Sequence, residues 1–359
     1  MTDSETPSLP CVVLFNINGS GMGHLSTCLG YANRLRGRAR PVFFSLASAI
    51  ETIHEMGFEA DYFVSRFWSR ASGWAWDRQL ALRLGLMFER VRPDVVVFDG
   101  TWPFRGLLDA AAAHGAPRLV WSNLTLYKEG MRKIPVREEN FDLVIRLGEL
   151  GANFSVERES VPGRKVVIPP VTLLKNEELL GRDEARDALG LRRDGRYALF
   201  SLGPGNLKDV SGIGRGLIDE MKSRGYAVVW ARAPISVKDA PLPEDVIPIA
   251  IYPLVRFMRA FDVFAGAAGY NTCCEVLQSG VPALFVPNTQ VSDDQTRRAE
   301  LVAQAAPAVV SPCESPEQRT DAVERLLMLH DESRARRPVP DLSGAERAAD
   351  EILGLVDAS

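Results

Sequence analysis

Two successive series of short β-rich runs, each run followed by a longer segment of helical composition, constrain what this chain can fold into more than any other feature. The first series is CVVLFNI from Cys11, PVFFSL from Pro41, ADYFV from Ala60, DVVVFD from Asp94 and RLVWS from Arg118. The second begins near Tyr197 with YALFSL and continues with YAVVWA, VIPIAI, FDVFAG, PALFVP and PAVVS. Apolar runs of this length alternating with helices belong to parallel sheets covered on both faces. At 359 residues the chain is also longer than one hydrophobic core usually organises. An α/β chain of two Rossmann-like halves is expected.

Between the halves, Pro169 and Pro170 interrupt any helix, and the charged stretch that follows is expected to act as a linker with little core. The expected divisions are 1–168, 169–340 and a closing helix in 341–359, where Ile352, Leu353, Leu355 and Val356 can share one apolar face. A formal charge of -4 supplies no cationic field for nucleic acid. The five cysteines (11, 28, 273, 274, 313) match neither a disulfide framework nor a zinc site. A reducing cytoplasm is expected, with peripheral contact at the inner face of a membrane left open.

The first chemical motif is GSGMGH, residues 19–24, after the first strand and at the opening of a helix through Leu35. Glycines such as Gly21 and Gly23 let backbone approach a ligand, and a helix start offers free N–H groups to an anion. A dinucleotide fingerprint would want an acid ending the second strand, where Phe44, Ser45 and Leu46 stand, so a dehydrogenase is disfavoured. If the strand order is 3-2-1-4-5, the ends of strands one and four lie side by side. Asp99 can then orient His24, whose other ring nitrogen takes a proton as general base. The bland alternative is a helix-start histidine bonded to a loop carbonyl and a turn aspartate.

In the second half, Gly203, Gly205 and Asn206 sit in a loop that can wrap phosphates or simply turn the chain. Residues 261–301 carry more: a strand leads through small residues to a helix starting near Asn271, with Glu275 one turn in as an acceptor for two ribose hydroxyls. At these residues and at the 19–24 turn the chain resembles the GT-B glycosyltransferases, in particular the N-acetylglucosaminyltransferase that makes lipid II and, more distantly, the UDP-glycosyltransferases. The resemblance implies two facing Rossmann-like domains with the acceptor on the first, the donor on the second, transfer in the cleft, and inversion at the anomeric carbon.

Carried over residue by residue, the resemblance implies that Gly269, Asn271 and Thr272 bind the donor diphosphate and Glu275 the ribose. Asp294 and Gln295 would hold sugar hydroxyls, and His24 and Asp99 would be the catalytic pair. Relatives often place Arg or His where this chain has Ala267. No Asp-X-Asp occurs, so a metal-bridged diphosphate is not expected, no cofactor is called for, and amide dipoles must stabilise the leaving group.

The expected partners are a nucleotide-sugar donor, UDP favoured by resemblance, and a small-molecule, glycan or lipid-linked acceptor. A nucleotide-sugar hydrolase or epimerase, or a non-catalytic nucleotide-sugar-binding partner protein, remains as the alternative. Trp68, Trp74 and Trp76 beside arginines suit acceptor stacking, a membrane interface or plain packing. Arg297 and Arg298 read as a solvated helix face, with phosphate contact as the alternative, and Cys273 and Cys274 as small buried residues.

Overall fold

The computed structural model describes residues 9–17, 21–126, 128, 138–149, 164–202, 211–236, 242–288, 293–332 and 340–357. The first half contains β1 (Cys11–Asn16), α1 (Gly23–Leu35), β2 (Arg40–Ser45), α2 (Ile50–Glu55), β3 (Glu59–Tyr62), α3 (Arg66–Ser69), α4 (Gly73–Val91), β4 (Val95–Asp99), α5 (Arg105–Ala113), β5 (Arg118–Leu124), β6 (Leu143–Leu147) and β7 (Arg164–Ile168). All seven strands form one parallel sheet in the order β3-β2-β1-β4-β5-β6-β7. The strand-order condition set by the sequence is met. Central β1 and β4 are buried along their whole length, which is why they are unbroken apolar runs, whereas edge strand β3 is half exposed.

The second half follows with α6 (Arg182–Ala188), β8 (Tyr197–Ser201), α7 (Ser211–Ser223), β9 (Ala227–Ala231), β10 (Ile247–Ile249), β11 (Val263–Gly266), α8 (Tyr270–Ser279), β12 (Ala283–Phe285), α9 (Gln295–Ala305), β13 (Ala308–Val310), α10 (Pro316–Glu332) and α11 (Gly344–Asp357). Its six parallel strands run β10-β9-β8-β11-β12-β13. All eleven β-rich runs of the sequence are strands; β6 and β7 are additional.

The stretch after Pro170 is not the coreless linker its charge suggests. Val171, Leu173, Leu174, Leu179, Ala185 and Leu191 are buried, and α6 packs against a 3-10 helix at Leu254–Ala260. Arg186 is fully buried; it donates to the carbonyls of Ala260, Arg193 and Gly195 and pairs with Asp262 at 3.0 Å. Its charge is satisfied internally, so a charged sequence still adds core.

Helix α11 returns to the first sheet and packs on α1, with Ala345, Ala348, Ala349 and Ile352 buried. Glu346 accepts from Arg34 at 2.8 Å, and Asp350 from Arg38 at 2.8 Å. The apolar face thus lies further toward the helix start than Ile352 to Val356 alone imply.

On α4, Trp76, Leu80, Leu84, Met87, Phe88 and Val91 recur at helical spacing and are buried. Trp76 Nε1 donates to Val64 O at 2.8 Å, so this tryptophan packs. Trp68 and Trp74 do not: they are exposed, together with Phe67, Leu82 and Leu86.

Candidate active site

The parallel register sets Asn16 opposite Asp99 and Asp99 opposite Ser122, so the carboxyl ends of β1, β4 and β5 meet in one row. Just beyond β1, α1 begins and carries His24. His24 Nδ1 lies 2.6 Å from Asp99 Oδ1, with the carboxylate side chain 2% exposed and the imidazole 21% exposed. A buried carboxylate fixes the tautomer: Nδ1–H donates to Asp99, leaving Nε2 as the acceptor.

Two residues absent from the sequence reading complete this arrangement. Ser122 Oγ donates to Asp99 Oδ2 at 2.6 Å, and Tyr31 OH and Ser122 Oγ share a hydrogen bond of 2.9 Å. Burial and the charge of Asp99 push the Tyr31 hydroxyl well above the usual phenol range, so it stays protonated. Both carboxylate oxygens are therefore held. Ser122 sits in RLVWS, a run already read as a strand, and Tyr31 lies two turns after His24; strand register was the signal that could have found the serine.

Facing this row, α8 starts at Tyr270 with Gly269 as its N-cap, and neither Gly269 nor Met22, the N-cap of α1, provides a side-chain cap. Neither helix start has its orphan N–H groups capped by its own N-cap side chain. The starts are tied together: Asn271 Nδ2 donates to Gly23 O at 2.9 Å. A Cβ on Gly23 would be in ordinary van der Waals contact with Asn271 Nδ2 at 3.5 Å, whereas one on Gly21 would meet open space. A second tie joins Ser26 of α1 to Tyr252, whose hydroxyls are 2.8 Å apart.

Thr272 lies in the first turn of α8, and Glu275 one turn in, half-buried. Burial alone pushes the Glu275 carboxyl up to about 8, so at neutral pH it is largely protonated. Asp294 and Gln295 open α9. The Asp294 carboxylate accepts from Arg297 N at 3.0 Å as the N-cap, and its backbone N–H donates to Leu126 O of the first domain at 3.3 Å. Gln295 is buried, its Oε1 accepting from Asn288 N at 3.0 Å. One Asp294 oxygen and the Gln295 amide nitrogen are not used in these bonds. Gly19, Gly203, Gly205 and Asn206 lie outside the described residues.

The two arginines of α9 divide. Arg297 is exposed and pairs with Glu300 at 3.3 Å. Arg298, expected in solvent, is 2% exposed and pairs with Glu149 and Asp293. The correction follows from helix periodicity: Arg298 shares the inward face with Gln295, Leu301 and Val302. Cys273 and Cys274 are buried with thiols pushed up by desolvation, as inert packing residues are. Among the described residues no group of three His, Cys, Asp or Glu side chains could hold a metal, and no helix is long and apolar enough to cross a membrane.

Residues 237–351 match the glycosyltransferase family 28 C-terminal domain. The chain superposes on the crystal structure of Acinetobacter baumannii MurG with a TM-score of 0.56 at 15% identity, covering 96% of this chain and 99% of that one. The fold is GT-B. Within GT-B, the sequence is similar to UDP-N-acetylglucosamine--N-acetylmuramyl-(pentapeptide) pyrophosphoryl-undecaprenol N-acetylglucosamine transferases. The Salinibacter ruber protein is 26% identical over 74% of this chain and 73% of its own length. The Bacillus licheniformis protein is 22% identical over 57% of this chain, and the match spans 56% of its own length.

Proposed function

We propose that this GT-B protein is an inverting, metal-independent glycosyltransferase that moves a sugar from a nucleoside-diphosphate sugar, with UDP favoured, to an acceptor hydroxyl. The observation that carries the reading is the 2.6 Å contact between His24 Nδ1 and a doubly held, buried Asp99 beside two tied helix starts. In this reading the acceptor O–H donates to His24 Nε2. As the acceptor oxygen bonds to the anomeric carbon, the bond from that carbon to the diphosphate oxygen breaks, and the nucleoside diphosphate leaves with the electron pair. His24 takes the proton, and Asp99 stabilises the imidazolium. One displacement inverts the centre.

The leaving diphosphate is assigned to the α8 start at Gly269, Asn271 and Thr272. Well-aimed amides there are each worth about 3 kcal/mol when they meet developing charge. Because the Asn271 amide donates to Gly23 O, the contribution of that residue is its backbone N–H and the tie to α1. Glu275 is assigned to the ribose, and Asp294 with Gln295 to sugar hydroxyls.

The surface of α3 and α4 supports one reading of the acceptor and of where the protein acts. Phe67 (81% exposed), Trp68, Trp74 (71%), Leu82 and Leu86 stand in solvent among exposed Arg66, Arg70, Arg78 and Arg83, and Arg78 lies over the Trp74 ring at 5.5 Å. Aromatic and aliphatic groups mixed with arginines suit the headgroup layer of an anionic leaflet. A cytoplasmic enzyme resting on the inner face of the membrane, acting on a lipid-linked acceptor, is the form this surface favours over a free small molecule.

The test is release of nucleotide from a UDP-sugar panel with and without lipid-linked and small-molecule acceptors, repeated in EDTA. Acceptor-dependent release that survives chelation supports the reading. Acceptor-independent release identifies a hydrolase, and sugar inversion without release an epimerase.

A further inference from the structure

Arg298 does something that neither the dyad nor the donor contacts explain. It sits in the first turn of α9, three residues after Gln295, and its guanidinium reaches three chain segments at one buried point. Nε lies 2.9 Å and 3.1 Å from the two oxygens of Glu149, and Nη2 lies 2.8 Å from Oε1. Nη1 donates to Asp293 Oδ2 at 2.5 Å and to Ala268 O at 3.3 Å. Glu149 stands two residues past β6 in the first sheet; Ala268 immediately precedes the N-cap of α8; Asp293 immediately precedes the Asp294–Gln295 pair.

The neighbourhood is built to hold that position. Tyr270, the first residue of α8, places its ring 5.8 Å from the guanidinium carbon; its hydroxyl accepts from Val171 N at 3.0 Å and donates to Gly148 O at 3.3 Å. A planar fork with five N–H donors can serve three differently directed acceptors at once, which a lysine ammonium cannot do with the same rigidity. A buried ion pair of this kind is poor evidence of net stability, because desolvation offsets its attraction, but it sets geometry where several segments must keep register.

We propose that Arg298 is a positioning residue for transfer, pinning the diphosphate helix, the sugar-reading loop and the acceptor domain to one another so that the donor anomeric carbon and His24 meet at a fixed separation. The inference rests on the transferase reading. Within it, the Asp293 and Ala268 arms shape the donor site, and the Glu149 arm sets that site against the other domain.

The arms make separable predictions. Glu149→Gln removes one charge of the cross-domain arm and leaves the donor-side arms in place. Free UDP should bind within about threefold of the parent, while kcat at saturating donor and acceptor falls roughly ten- to a hundredfold, the scale of a small misplacement of reacting groups. Arg298→Lys keeps the charge but not the fork, and should lower kcat at least as far; Arg298→Met should weaken UDP as well.

Circular dichroism and the melting temperature of each variant separate this from unfolding, and kcat is corrected for the folded fraction. Unchanged kcat in folded Glu149→Gln, or a kcat loss matched by an equal loss of UDP affinity, overturns the positioning role. Absence of acceptor-dependent turnover in the parent protein instead overturns the transferase reading itself.

Discussion

Binding of the donor should release a proton from Glu275. The carboxyl is half-buried in α8, and desolvation raises it from 4.5 to about 8. At pH 7 roughly nine in ten free molecules then carry the proton. A ribose diol donates two O–H groups, which favours the ionised acceptor. At about 1.5 to 3 kcal/mol for each charge-assisted bond, and 1.36 kcal/mol per pKa unit, the bound carboxyl should fall by about two to four units.

Donor binding at pH 7 should therefore release close to one proton, and affinity should tighten up to about tenfold per pH unit from near pH 6 until it levels above 8. The intact nucleotide sugar is the right probe, because its bridged diphosphate does not titrate in that window. Calorimetry in two buffers of different ionisation enthalpy reads the proton count. Glu275→Gln, which cannot ionise, subtracts any proton that His24 exchanges. Equal proton release in the parent and Glu275→Gln would refute the assignment of Glu275 to the ribose.

The same shift has a consequence for stability. A carboxyl raised in the folded state contributes stability that is fully present below its unfolded value of 4.5 and is lost as pH rises through about 8. Glu275→Gln should thus flatten the decline in melting temperature across that interval.

His24→Ala should lower turnover by about 10²- to 10⁴-fold with donor affinity nearly unchanged, and Asp99→Asn should do so less severely; single-turnover kinetics with calorimetry checks both. Asp294→Ser keeps a capping oxygen for α9 while removing the carboxylate, so it should spare free UDP and weaken the intact donor or slow transfer, as binding of the two ligands will show. Replacing Phe67, Trp74 and Leu82 together with Ser should reduce sedimentation with anionic vesicles while leaving the melting temperature in place, since all three are exposed.

Much of this was legible because strand runs and glycine turns are local signals. The order β2-β1-β4 converts an apolar run ending at Asp99 into a neighbour for His24, and that step needs only the chirality and adjacency rules of parallel sheets. What stayed hidden depends on contacts across long separations. Arg298 sits beside Arg297 and Glu300 in a charged helix, and nothing within ten residues reveals that Glu149 waits for it. Arg186 hides in the same way among acids and arginines, and its partner Asp262 lies 76 residues on. Ser122 was a buried strand residue of no distinction until the register put it opposite Asp99. Charge in sequence predicts solvent only when no buried carbonyl or carboxylate is shaped to receive it.

The proposed donor site has an unusual charge balance, and its parts explain one another. The lead into α8 is Ala267, Ala268 and Gly269, with no cationic side chain to meet a diphosphate. Arg298 reaches Ala268 O but is already matched by two carboxylates, so its charge is spent on geometry. An ionised Glu275 in the next turn would add a negative charge beside the incoming anion. With its carboxyl at about 8, that charge is largely absent at neutral pH, and in the proposed reading the ribose hydroxyls would stabilise it on binding. In that reading anion attraction would fall to the helix starts of α8 and α1, tied together through Asn271 and Gly23. Since the α1 start also carries His24, the proposed diphosphate helix α8 is tied to the element that would hold the base. In the proposed mechanism, opening the Asn271 to Gly23 tie would weaken the leaving-group site and withdraw the base together.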